Sequence, residues 1–83
     1  MTVELVHVGF GSILAANRIL AIISPESAPV RRMISQAREA GTLIDSTYGR
    51  KTKAVVILDT GHLVTVALQP DTIANRIEQQ RGE

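Results

Sequence analysis

Arg50, Lys51 and Lys53 crowd a stretch of five residues that opens on Gly49. A guanidinium offers a planar fork that fits phosphate, and a lysine offers a mobile point charge. Cations gathered at one turn are therefore chemistry for an anion, of which phosphate is the commonest example. The flanking residues read as two strands, Leu43 to Thr47 and Lys53 to Asp59, joined by a tight turn into a hairpin whose buried arms would hold the tip rigidly. Lys51 and Lys53 share a face by the two-residue period, and Arg50 points the other way unless the turn twists it. The plainer account of such a tip is solvated surface. Arg18 adds weight to the anion reading, because it follows polar Asn17 and precedes an apolar run, which places it at the mouth of a strand as a second phosphate ligand. A salt bridge to Glu4 or Glu26 is its ordinary alternative.

Arg31 and Arg32 fall near a helix start, where the helix dipole disfavours cations by a few tenths of a kcal/mol. Phosphate or a subunit contact is a reason to keep them there. Arg38 sits in the last turn of the same helix, where the dipole alone accounts for it. Phe10 and Tyr48 are the only aromatic residues. Single-strand binding relies on stacking platforms, so duplex is the better partner. Phe10, between two glycines, reads as a core or interface plug, and Tyr48 as a turn residue or a sugar–phosphate hydrogen-bond donor. Gly9-Phe10-Gly11 lacks the third glycine and the following βα unit of a dinucleotide fingerprint. His7 and His62 have no carboxylate at metal-ligand spacing, and no nucleophile signature is present. Asp45, Ser46 and Thr47 lie on one strand, where neighbours face opposite ways and make no acid/base pair. The expectation is a protein without catalysis, metal or cofactor.

The elements that must carry these residues follow from periodicity. Thr2 to Val8 alternates like a strand and ends at the glycine-rich turn, and a second strand runs from about Arg18 to Ile23. Ser24 or Ser27 caps a helix that has prolines in its approach. Val30, Met33, Ile34 and Ala37 form its apolar stripe, and Gly41 closes it in a left-handed C-cap. After the hairpin, Asp59-Thr-Gly-His62 turns into a last strand, Leu63 to Gln69, and Pro70-Asp71-Thr72 starts a terminal helix through about Gln80. This order predicts one α+β domain over residues 1–83, with about five strands in a small antiparallel sheet, one helix after strand two and one at the C-terminus.

Composition bounds the rest. A chain of 83 residues has room for one domain that buries about 60% of its unfolded surface. The runs Ile19 to Ile23 and Ala54 to Leu58 lack alternation and call for cover on both faces. One helix covers one face only, so a second copy is the expected cover for the other and a homo-oligomer is predicted. Net charge is +1, but residues 17–53 hold seven basic side chains against three acids while the remainder sums to −3. That polarity suits an anionic ligand on one side, or head-to-tail contact between subunits. The absence of cysteine removes disulfides and thiolate metal sites and fits a reducing compartment. The longest apolar run is five residues, far below the roughly 18 to 20 of a membrane span. With no signal peptide legible at the start, a soluble intracellular protein is expected.

These residues also carry a likeness. Val8-Gly-Phe-Gly-Ser12, Asn17-Arg18, Ile23-Ser-Pro-Glu-Ser-Ala-Pro-Val30, Leu43-Ile-Asp-Ser-Thr-Tyr-Gly-Arg50 through Ala54-Val-Val-Ile57, and Leu68-Gln-Pro70 together resemble the RemA family of bacterial extracellular-matrix regulatory proteins. The resemblance implies a cytoplasmic, nucleoid-associated regulator of biofilm-matrix operons that binds and bends double-stranded DNA as a closed ring of seven or eight subunits. It places DNA contacts on Arg18, Arg50 and Lys51, the last a departure that keeps the charge but loses the fork. Lys53 joins them from the charge pattern, with Asn17, Tyr48, Arg31 and Arg32 as secondary phosphate contacts. Pro29 matches a family proline that a structural role explains. The alternative from another class is a non-catalytic scaffold ring whose cations pair with Asp59, Asp71 or Glu78 of the adjacent subunit.

Overall fold

The computed structural model describes residues 4–81; Thr2 and Val3, expected to open the first strand, lie outside the described residues. Strands β1 (Leu5–Gly9) and β2 (Ser12–Ala15) form an antiparallel hairpin. Phe10 and Gly11 connect them at φ 54° and 84°. Positive φ at both central residues is what a two-residue turn needs to match strand twist. A single 3-10 turn, Ala16–Arg18, leads into β3 (Ile19–Ile23). Helix α1 (Ala28–Ala40) follows, then β4 (Leu43–Asp45), β5 (Ala54–Leu58), β6 (Leu63–Val66) and α2 (Pro70–Arg81).

Both ends of α1 form as the residue types require. Ser27 Oγ accepts from the Val30 amide at 3.3 Å, and Gly41 stands at φ 78° with its N–H bonded to the carbonyls of Ala37 and Arg38. Val30, Met33, Ile34 and Ala37 pack on Val55 and Leu63 from one face of the sheet. The other face carries Ala54, Val56, Val64 and Val66, covered by Val6 and Val8 of the hairpin and Ile73 of α2. Alternate residues of β5 thus enter two cores, which accounts for a strand with no polar side chain.

Three expectations are corrected here. The strands form two sheets, of two and four strands, where one sheet of about five was predicted. Ser12–Ala15 escapes notice because four residues with one alternation give little periodic signal. The four-stranded sheet, in the order β3-β5-β6-β4, is mixed and not purely antiparallel, because β4 runs parallel to β6. Finally, β4 and β5 are not hairpin partners: β6 lies between them, and residues 46–53 arch over its end. Every residue of β6 is buried, Thr65 included, and such a strand gains most in the middle of a sheet, which outweighs the shorter loop of a local hairpin. The second face of Ala54–Leu58 is also covered from within the same chain, so that run does not call for a second copy. The other run, β3, is an edge strand on which Leu20 is 69% exposed.

Candidate nucleic-acid interface

The arch over β6 carries most of the chemistry. Both its feet are tied to the strand beneath, Ser46 N–H to the Thr65 carbonyl at 2.8 Å and Lys53 N–H to the Val66 carbonyl at 2.9 Å. Asp45 clasps the first foot: its Oδ1 accepts the Thr47 amide at 2.9 Å, the Thr47 hydroxyl at 2.7 Å and the Thr65 hydroxyl at 3.1 Å. The Thr47 hydroxyl, then its amide, and next the Thr65 hydroxyl hold the Asp45 carboxyl below its ordinary pKa; the nearby Arg38 charge adds to this and partial desolvation opposes it. A single carboxylate thereby satisfies the hydroxyls of two buried threonines.

Past that foot, Tyr48 and Gly49 adopt φ 53° and 81°, and the Arg50 amide closes a turn on the Thr47 carbonyl at 3.1 Å. This turn meets the β1–β2 turn. The Arg50 guanidinium carbon lies 3.9 Å from the centroid of the Phe10 ring, and the Phe10 and Tyr48 rings are tilted at 58° with centroids 6.4 Å apart. Phe10 is 42% exposed and Tyr48 65%. Two aromatic–glycine pairs, 10–11 and 48–49, hence share the left-handed backbone that bulky residues rarely adopt, and such strain persists where surroundings over-determine it. Of the two roles expected of Phe10, core or interface plug, its exposure removes the first. Its ring is a platform over which the Arg50 guanidinium sits, a contact Arg favours.

Lys51 and Lys53 are exposed on the second leg of the arch. Together with Arg31 they line a cleft against the loop before α1, and Arg31 Nη donates to the Glu26 carbonyl at 2.8 Å. Asn17 and Arg32 are exposed, on the 3-10 turn and on α1. Arg18 is elsewhere. Its Nε lies 2.9 Å from an oxygen of Asp59, whose amide also bonds the Arg18 carbonyl. Asp59, not Glu4 or Glu26, is therefore the partner, six residues along the chain from Lys53, or about 20 Å at strand rise. Within one chain the structure brings together Tyr48, Arg50 and Phe10, and separately Lys51, Lys53 and Arg31, but leaves Arg18 at the far end of β5. Missed from sequence were Phe10 as the seat of Arg50, Asp59 as the partner of Arg18, and the Asp45 clasp. The repeated aromatic–glycine pair was the one signal that could have pointed to the first.

Among the described residues no group of three His, Asp or Glu is placed to hold a metal ion, and no helix is long and apolar enough to cross a membrane. Fold and surface together define a small α+β protein whose exposed chemistry is cationic and aromatic. A profile described as "Extracellular matrix regulatory protein A-like" matches residues 5–77, and the chain belongs to this RemA-like family. A chain of Symbiobacterium thermophilum named as a regulatory protein is 63% identical over 75 residues, 90% of this chain and 79% of its own length. Extracellular matrix regulatory protein A of Bacillus subtilis is 54% identical over 77 residues, 93% of this chain and 86% of its own. A cyanobacterial relative from Gloeothece citriformis, also named as regulatory, is 58% identical over 76 residues, 92% of this chain and 86% of its own. These relatives carry the names of regulatory proteins and not of enzymes.

Proposed function

We propose that this chain is a DNA-binding transcriptional regulator. It works as a ring-shaped homo-oligomer that holds and bends duplex DNA on a cationic track, and the operons it controls are of the biofilm-matrix type. The observation that carries the reading is the Arg50 guanidinium laid on exposed Phe10 at 3.9 Å, because ordering that fork in advance lowers the entropy lost when it grips a phosphate. Lys51 and Lys53 extend the charge along the same arch, and Arg18 serves from the far end of β5, so a continuous track requires neighbouring copies. Contacts of this kind position and bend a duplex more than they read base edges, which leaves specificity to deformable steps and site spacing. Binding to duplex would place the protein on the nucleoid.

The test is a titration of labelled duplex by anisotropy with the intact chain and with Arg18→Ala and Arg50→Ala. Each variant should keep its fold and assembly size by circular dichroism and light scattering, and each should lose duplex binding by about tenfold or more. Unchanged affinity in both would end the proposal. The scaffold ring would instead come apart with rising salt while nucleic-acid retention stays indifferent to it.

A further inference from the structure

The cations on the second leg of the arch also border a concavity behind it. A cleft of about 440 Å³ opens there between the loop that leads into α1, the second leg of the arch and the residue before α2. Arg31, Lys51 and Lys53 line it with a single carboxylate, Glu26, and with Ser24 and Gln69. Among the described residues none of the three cations is in an ion pair. Arg31 commits one donor to the Glu26 carbonyl at 2.8 Å, which fixes its guanidinium at the wall and leaves further N–H groups of its five for a ligand. A cation in the first turn of α1 works against the helix dipole, and a ligand in the cleft supplies the reason for its position.

We infer that this cleft binds a small phosphate-bearing molecule of about nucleotide size. Two phosphates match one guanidinium fork and two ammonium groups in charge. The cleft is wider than a phosphate and falls within the roughly 300 to 1,000 Å³ of small-ligand sites. Pro25 and Thr52 on its wall offer surface to an organic body, and the Glu26 carboxylate accepts from hydroxyl or amino groups on it. Its occupancy would also withdraw Lys51 and Lys53 from a longer polyanion. That consequence rests on the duplex reading, whereas the ligand site does not.

Calorimetric titration of the intact chain with inorganic pyrophosphate and with ADP tests the site. Saturable binding of both is expected, weakened about tenfold or more in Arg31→Ala, partly restored in Arg31→Lys and unchanged in Arg18→Ala. Two results would overturn the inference: no saturable binding up to about 10 mM, or equal binding by Arg31→Ala. Because Arg18→Ala reports on duplex alone, failure of the regulator reading and failure of the ligand site give different patterns.

Discussion

Arg50 and Phe10 form a unit, since the ring that supports the guanidinium is held outward by a backbone that a bulky side chain adopts at a cost. Phe10→Asn separates the two effects, because asparagine tolerates the left-handed turn but offers no ring. Its melting temperature should stay close to that of the parent while duplex affinity falls about two- to tenfold, the range of a cation–π contact, in an anisotropy titration. Arg18 presents the opposite situation. Its exposed pair with Asp59 contributes about 0–1 kcal/mol, so a phosphate can displace the carboxylate. Asp59→Asn should therefore tighten duplex binding, and weaker binding would mean that Asp59 serves an intersubunit contact instead. Lys51→Arg should hold or raise affinity in a mobility-shift titration, because the fork adds geometry to a charge already present. The cations themselves were legible in the sequence, as charge crowding at a glycine is a local pattern. Their partners were not: Phe10 and Arg50 stand forty residues apart, and no spacing rule connects two turns on different sheets.

The decisive element is the arch from 46 to 53, because it decides where its cations point. Asp45→Ala would strand the hydroxyls of Thr47 and Thr65, each 4% exposed, at a cost of about 1–3 kcal/mol in urea unfolding. The same carboxylate gives a pH dependence whose sign is fixed. Its folded pKa lies below the ordinary value, so the unfolded chain binds the proton more readily; the clasp contributes fully above about pH 4–5 and is lost as pH falls through the folded value. Asp45→Asn should flatten the fall in stability over that acid range, as followed by unfolding at a series of pH values. In the helices, residue types were sufficient guides. The i, i+3, i+4, i+7 stripe, the Ser27 cap and the Gly41 stop are all local, and α1 lies where they place it; Ser27→Ala should cost about 1 kcal/mol. In the sheet they were not. A period of two identifies a strand without naming its neighbour, and the place of β6 between β4 and β5 follows from its burial on both faces, which only the assembled core reveals.

At the scale of the whole molecule, the cations of one chain lie at both ends of β5, too scattered to grip a duplex alone. Leu20 at 69% and Ile13 at 49% exposure offer apolar contact to another copy, a firmer basis for assembly than the covered β5 run. Leu20→Glu should lower the mass measured by light scattering and, with it, duplex affinity. If two to four subunits of an intact ring neutralise about eight phosphates, log K against log salt should fall with a slope near −7, and a slope near −2 would leave the contacts of a single subunit. The placement of β6 has a further consequence, for synthesis on the ribosome. A nascent chain that has emerged only through β5 holds two arms with no strand between them, and their open edges cannot satisfy one another. Until Leu63–Val66 arrives, the gap is a template for the same segment of any other copy, so a delay in translation at that point would favour exchanged strands and swapped dimers over the native sheet.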